Sequence, residues 1–457
     1  MRTYALTAAI DNSVVEARRY IWTSFGLKLI SPLYISLLNT LIAIGAAFVP
    51  PDIINLFLAE HDYVFLSVPY LIVVISSEFA FCMGMWCYAL IKCRTNLAIR
   101  RTPKINPTKK LCLQSAFIII MVILLEAVII SVIVTLIGPE KLAASFSDPN
   151  IANVTRLKLI STTRIHGINI LAFQFGAEAA LLASFYIFMN IRTLRTRRAL
   201  LALYSFASIL YLAASFLTFS RWPIMAFIVS LVALLLLKRN SESGTGIRTL
   251  SYLSFPFLGT LLITFLTFSF IKIGSSHLLN SIIGYTLGSY NLGAAAITNA
   301  FTQPYSDTSY GTLGMFWNAP VIGPHLRDLA ISLGLGLPRT SVIEMGQTVQ
   351  LWTNAAAQSG LNITYLWDSV FGYIYSDVGF AYPFVFFVYG FVSWFLYEGF
   401  MRLSLLRMLL YIVFLVSLIT WFTSAFISNT PLDDFAFFSI LITVYLRKQW
   451  RLSIWGP

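Results

Sequence analysis

The sequence predicts an all-α polytopic membrane protein of about ten transmembrane helices with one long extracytoplasmic loop. Three observations carry that prediction. Of 457 residues, 58% are hydrophobic and only 11% charged, against about 25% charged in an ordinary soluble domain, which excludes disordered, fibrous and soluble-enzyme classes. Apolar runs approaching the roughly 20 residues that cross a bilayer recur along the chain. The basic residues are concentrated in alternate connections between those runs, which the positive-inside rule assigns to the cytoplasm.

The same charge pattern argues against nucleic acid. A net charge of +12 would raise that partner for a soluble protein, but the cations form no basic groove. Arg2, Arg18, Arg19 and Lys28 precede the first run, and Lys92, Arg94, Arg100, Arg101, Lys104, Lys109 and Lys110 fall between the second and third. Arg192, Arg195, Arg197 and Arg198 follow the fourth, Lys238, Arg239 and Arg248 the sixth, Arg402 and Arg407 the eighth, and Arg447, Lys448 and Arg451 the last.

Taken in order, the runs lie at 29–49, 63–91, 111–138, 166–191, 199–220, 222–237, 250–271, 381–400, 408–427 and 435–446. This puts both termini in the cytoplasm. The runs at 222–237 and 435–446 are short for a hydrocarbon core about 30 Å thick, so each is expected to be tilted, broken or shared with an interfacial segment. The long charged stretch before the first run, and that run's own length, argue for an uncleaved anchor rather than a signal peptide. Cys82, Cys87, Cys93 and Cys112 lie in or at the cytoplasmic ends of helices, so no structural disulfide is expected.

The outward connections at 50–62, 139–165, around Arg221 and at 428–434 are short, whereas 274–380 spans 107 residues. The chain therefore divides into a seven-helix membrane region over 1–273, a long periplasmic loop with short helices over 274–380, and a three-helix membrane region over 381–457. Stretches 279–297 and 329–337 read as short amphipathic or re-entrant helices, because a structureless loop of this length is improbable. The loop is rich in Tyr and Trp, among them Tyr285, Tyr290, Tyr305, Trp317, Trp367 and Tyr375. Their flat faces with polar handles can hold pyranose rings, or can build the loop's own core and an interfacial belt.

The most telling feature is Ser220-Arg221-Trp222, where two apolar runs are joined by almost no loop and a lone arginine is left at the outer face. Its guanidinium matches phosphate oxygens in bidentate geometry, so a lipid-linked diphosphate is a fitting partner. It can equally snorkel to headgroups or pair with a carboxylate of the long loop.

Together with Arg221, Gly284-Tyr-Thr-Leu-Gly-Ser-Tyr290 opening the long loop, Asn362-Ile-Thr-Tyr-Leu-Trp-Asp368, and Tyr375-Ser-Asp-Val-Gly379 before the next helix resemble oligosaccharide repeat-unit polymerases. These are the Wzy-type enzymes of O-antigen and capsule assembly. The resemblance covers the second half by motif and the first half by topology and size. It implies a glycosyltransferase of the bacterial inner membrane, similar in fold to the GT-C class. Such an enzyme moves a growing glycan from one undecaprenyl diphosphate onto another lipid-linked repeat unit, in some systems beside a chain-length regulator. Arg221 matches the family's outer-face arginine, and Asp377 and Gly379 match its Asp-aromatic-Gly ending, with Val378 in place of the aromatic.

That chemistry needs charge stabilisation for the departing diphosphate and a base for the attacking hydroxyl. Arg221, Arg327, Arg339 and Arg164, with Arg156 and Lys158, are candidates for the first, and His325, Asp368 and Asp377 for the second; Tyr285 and Tyr290 are candidate sugar contacts. The four histidines are scattered and no Asp-x-Asp occurs, so neither metal nor other cofactor is expected; Glu60-His61-Asp62 resembles the acidic pairs of metal-dependent GT-C enzymes and equally reads as a solvated loop end. No nucleotide-binding loop or nucleophile elbow occurs in a suitable context.

Glu78, Glu126 and Glu178 fall inside the second, third and fourth runs. Intramembrane carboxylates can line a proton path, sit beneath a polar cleft, or be hydrogen-bonded between helices; helix packing is the favoured reading. An O-antigen ligase, a polysaccharide flippase or other transporter, and a structural membrane protein are the rivals to the polymerase.

Overall fold

A computed structural model describes residues 28, 30–58, 65–94, 109–147, 173–189, 194–218, 222–241, 283–298, 369–402, 404–422 and 430–455, with short pieces at 151, 154–155, 158–159, 164–165, 168–169, 325–326, 328–329, 332–333, 357 and 360–361. These residues are helical apart from turns and one two-residue antiparallel ladder, Arg164–Ile165 against Ile168–Asn169.

The first half contributes α1 (Pro32–Ala47), α2 (Pro51–Leu58), α3 (Val68–Arg94), α4 (Lys109–Ile137), α5 (Pro139–Ser147), α6 (Phe173–Met189), α7 (Leu194–Leu217) and α8 (Trp222–Ser241). The second half contributes α9 (Ser289–Ile297), α10 (Val370–Val378), α11 (Tyr382–Met401), α12 (Leu405–Ile419) and α13 (Thr430–Trp455).

The chain is a helical membrane protein. Stretches Val68–Lys92, Lys109–Ile137, Arg198–Leu217 and Gly379–Met401 are long and apolar enough to cross a bilayer, and five shorter apolar helices accompany them: Pro32–Ala47, Phe173–Phe188, Pro223–Leu237, Leu405–Ile419 and Asp434–Leu446. Leu113, Phe117, Leu124 and Val128 on α4 and Ile72, Phe79 and Trp86 on α3 are each more than half exposed. A soluble monomer does not tolerate so broad an apolar surface; lipid tails do.

The expected run at 250–271 lies outside the described residues. The other nine fall on described helices with shifted ends. α6 starts at Phe173 rather than 166, because Ile165 and Ile168, both β-branched, pair in the ladder instead. α12 stops at Ile419 rather than 427, where Thr420 folds its hydroxyl back onto the carbonyls of Val416 and Ser417. α13 extends past 446 to Trp455, since its Leu-Arg-Lys-Gln continuation is made of good helix formers.

Packing follows two groups. In one, α3 and α11 run side by side and parallel, flanked by α1 and α12. The pairing is marked along its length by the Ser76 and Tyr382 hydroxyls, 2.5 Å apart, and by the Tyr88 hydroxyl donating to Glu398 Oε2 at 2.7 Å. Lys92 and Arg402 close on Glu398 at the same end, while Arg407 lies 4.5 Å over the Phe395 ring. In the other group α4 packs on α6 and α7, with α8 and α13 behind α6. α12 joins the groups by touching α11 and α1 on one side and α8 and α13 on the other.

Candidate functional site

The two ends of the long segment 274–380 fold into the first helix group. α9 is entered through a π-helical turn, Gly284–Gly288, a form that recurs at functional sites. Nearly all of α9 is buried, from Ser289 to Ala295 and again at Ile297. Its polar side chains are used for docking. Asn291 Oδ1 accepts from the Phe65 backbone N–H at 2.7 Å, just before α3 starts. The Tyr290 hydroxyl donates to the Asn39 carbonyl of α1 at 3.4 Å, and Asn39 in turn donates through Nδ2 to Leu418 O at 2.9 Å.

α10 docks beside it. Ser369 caps the helix by accepting from Gly372 N at 3.5 Å. The Ser369 N–H reaches Ser289 O at 3.3 Å, and the Val370 N–H reaches Trp421 O at 2.9 Å. Phe371 stacks on Phe386 at 5.7 Å with the Trp421 ring edge-on to both. The helix ends at Gly379, whose φ of +56° is open to glycine and costly for any residue with a Cβ. After a single 3₁₀ turn, α11 begins at Tyr382 with a proline in its first turn.

A glycine at this point therefore sets the angle between a short docked helix and a long spanning one. Around the corner, Tyr375 lies 5.6 Å from the Tyr382 ring and 6.2 Å from Phe380, which is almost fully exposed. Of these three rings, Tyr382 is buried with its hydroxyl on Ser76, Tyr375 is half-buried, and Phe380 offers an exposed aromatic face at the corner.

Asp377 occupies the last turn of α10, two residues before Gly379, with its side chain outside the described residues. Tyr290 is completely buried among α1, α3 and α10, so its ring serves helix docking and faces no open cleft. Tyr285 belongs to the π-helical turn, and Arg164 to the two-residue ladder opposite Asn169; neither side chain lies among the described residues. His325 is exposed, in a short helical piece. Arg221, Arg327, Arg339 and Asp368 lie outside the described residues, as do Glu60-His61-Asp62. The helices that bracket Arg221 are described: α7 ends at Leu217 and α8 starts at Trp222, and the two pack against each other. Among the described residues no three His, Cys, Asp or Glu side chains gather as a metal site, and Cys82, Cys87 and Cys112 are free thiols.

The intramembrane carboxylates divide into two kinds. Glu78 is satisfied by α1: Ser36 Oγ donates to Oε1 at 2.9 Å and Thr40 Oγ1 to Oε2 at 3.0 Å. Helix packing accounts for it. Glu178 on α6 accepts from the Tyr211 hydroxyl of α7 at 3.1 Å. That hydroxyl also lies 3.4 Å from the Pro223 carbonyl, in the first turn of α8. Glu126 on α4 is fully buried with both oxygens lacking a hydrogen-bond partner.

Sequence reasoning did not find Asn39, Asn291, Gln174, Tyr211 or Trp421. Each is a polar or amphipathic residue within an apolar stretch, and that is the only signal the sequence carries for them. No family model, no curated protein and no solved structure matches this chain.

Proposed function

We propose that the chain is a polytopic glycosyltransferase of the bacterial inner membrane that polymerises lipid-linked oligosaccharide repeat units at the periplasmic face. In this reading ten helices cross the membrane in a GT-C-like arrangement with both termini in the cytoplasm. The donor is a glycan on undecaprenyl diphosphate, the acceptor a second lipid-linked unit, and the energy comes from cleaving the sugar–phosphate bond without nucleotide or metal.

The observation that carries the reading is the α7–α8 connection. Only residues 218–221 separate Leu217 from Trp222, and they include an arginine at the face opposite the basic loops. A guanidinium there meets a diphosphate at headgroup depth, where bidentate binding stabilises the leaving group. Support also comes from the corner at Gly379, where a glycine-only turn gathers the Tyr375, Tyr382 and Phe380 rings after the helix whose last turn contains Asp377. His325, Asp368 and Asp377 are the candidate bases, and Arg327, Arg339 and Arg164 the further phosphate partners.

The test is polymer formation in cells by Arg221→Ala, at matched expression and membrane insertion. Loss of polymer supports the diphosphate role; polymer of normal length and amount removes it. The ligase alternative is separated by its need for a lipid A core acceptor, and the flippase by polymerisation in detergent, where no compartment exists.

A further inference from the structure

The second helix group contains a polar layer that the proposed reaction does not use. α4 buries one stripe, Leu111, Ser115, Ile119, Val122, Glu126, Ile129, Ile133 and Ile137, at spacings of three or four. Glu126 is its single charged member, and it falls where two hydrophobic clusters divide: Ile119 and Val122 pack with the main core, Ile129 and Ile133 with a separate one that includes Ala214. At that division lie Glu178, Tyr211, Gln174 and Ser215. Gln174 Nε2 donates to Ser215 Oγ at 2.9 Å, and Ser215 Oγ to the Tyr211 carbonyl at 2.8 Å. The Tyr211 hydroxyl donates to Glu178 at 3.1 Å, while neither Glu126 oxygen has a hydrogen-bond partner.

Two carboxylates removed from water need neutralisation. No lysine, arginine or histidine among the described residues pairs with either; the ion pairs there are those of Glu398. Around α4, helix α7 contributes Tyr211 and α6 contributes Glu178. Asp434 of α13 lies one turn before Phe438, whose ring rests on Gly176. Glu140 and Lys141 of α5 lie beyond the end of α4, which is eleven residues from Glu126, roughly 16 Å along the axis.

We propose that Glu126 and Glu178 form an intramembrane proton-binding layer, in which both are neutral carboxylic acids and the Tyr211 hydroxyl donates to Glu178. The Tyr211 hydroxyl also touches the first turn of α8, two residues beyond Arg221, so the protonation state is felt at the α7–α8 connection.

The experiment uses the full chain in lipid nanodiscs and infrared difference spectra between neutral and alkaline buffer, a readout independent of polymer formation. The parent is expected to show the carbonyl stretch of a protonated carboxylic acid that disappears on raising the pH. That band weakens in Glu126→Gln and in Glu178→Gln, and shifts in Tyr211→Phe. A parent spectrum with no acid band, or one unchanged in both Glu126→Gln and Glu178→Gln, overturns the site. Should the glutamine variants fail to fold, a lipophilic carbodiimide applied to the parent decides: covalent adducts on Glu126 or Glu178, declining as pH rises, support the site, and their absence at neutral pH overturns it.

Discussion

Gly84 and Gly390 bring the backbones of α3 and α11 into direct contact. A Cβ on Gly84 would stand 2.0 Å from the Phe387 carbonyl oxygen, and a Cβ on Gly390 would stand 1.9 Å from the Phe81 carbonyl oxygen. In a bilayer, lipid tails are as apolar as any side chain, so helices associate through close packing at small residues. These two glycines supply that packing between the helices that carry the Glu398 clamp at one end and the α10 corner at the other.

Gly84→Ala is therefore expected to lower stability by about 1–3 kcal/mol, the usual cost of overpacking. Gly45→Ala serves as the contrast. Nothing lies within 4 Å of a Cβ there, and a helical Gly-to-Ala change is neutral to favourable by up to about 1 kcal/mol. Thermal unfolding in detergent, followed by loss of monodispersity, distinguishes the two; equal midpoints would contradict the close-contact reading.

Removing Glu78 strands the α1 hydroxyls. Glu78→Leu leaves Thr40 without its acceptor and Ser36 with only its 3.2 Å contact to the Leu33 carbonyl, an expected loss of about 1–3 kcal/mol. Adding Ser36→Ala and Thr40→Val should recover part of that loss, because the partners are then apolar on both sides. A combined variant as unstable as the sum of the separate changes would show that the three do not interact.

Asn291→Ala removes the side-chain acceptor of the Phe65 N–H and is expected to cost about 1 kcal/mol, concentrated where α9 meets the start of α3. Hydrogen exchange should rise across 65–71 and 289–297 while α4 and α7 stay protected. Asn291→Asp, which keeps an acceptor oxygen, should restore part of the protection. Uniform exchange increases throughout would mean that α9 is not docked through this contact.

The apolar helices were legible because hydropathy follows directly from the solvent and does not depend on long-range contacts. Helix ends were less so. Ile165 pairs in a ladder through local bonds that an apolar run conceals. The docked helices were half visible: 279–297 read as a short amphipathic or re-entrant helix, but burial of Tyr290 against α1 depends on a partner 251 residues away in the chain. Likewise Glu78 and Glu126 look alike in sequence. Only the facing helix, with Ser36 and Thr40 in one case and no donor in the other, tells them apart.

Arg221→Ala should insert and fold as the parent does, since α7 and α8 meet through Tyr211 and Phe227, whose rings lie 5.2 Å apart, rather than through the connection. Polymer should nevertheless be abolished. Arg221→Lys keeps the charge without the bidentate fork and is expected to restore little activity; full recovery by lysine would reduce the residue's role to charge alone.

The most direct measurement is to incubate the purified chain with an undecaprenyl-diphosphate-linked repeat unit in detergent, with chelator and without nucleotide, and to separate the products on a gel. A ladder of oligomers rising one repeat unit at a time is the expected result. A single unchanged band, from substrate shown to be competent with another enzyme, would contradict the polymerase.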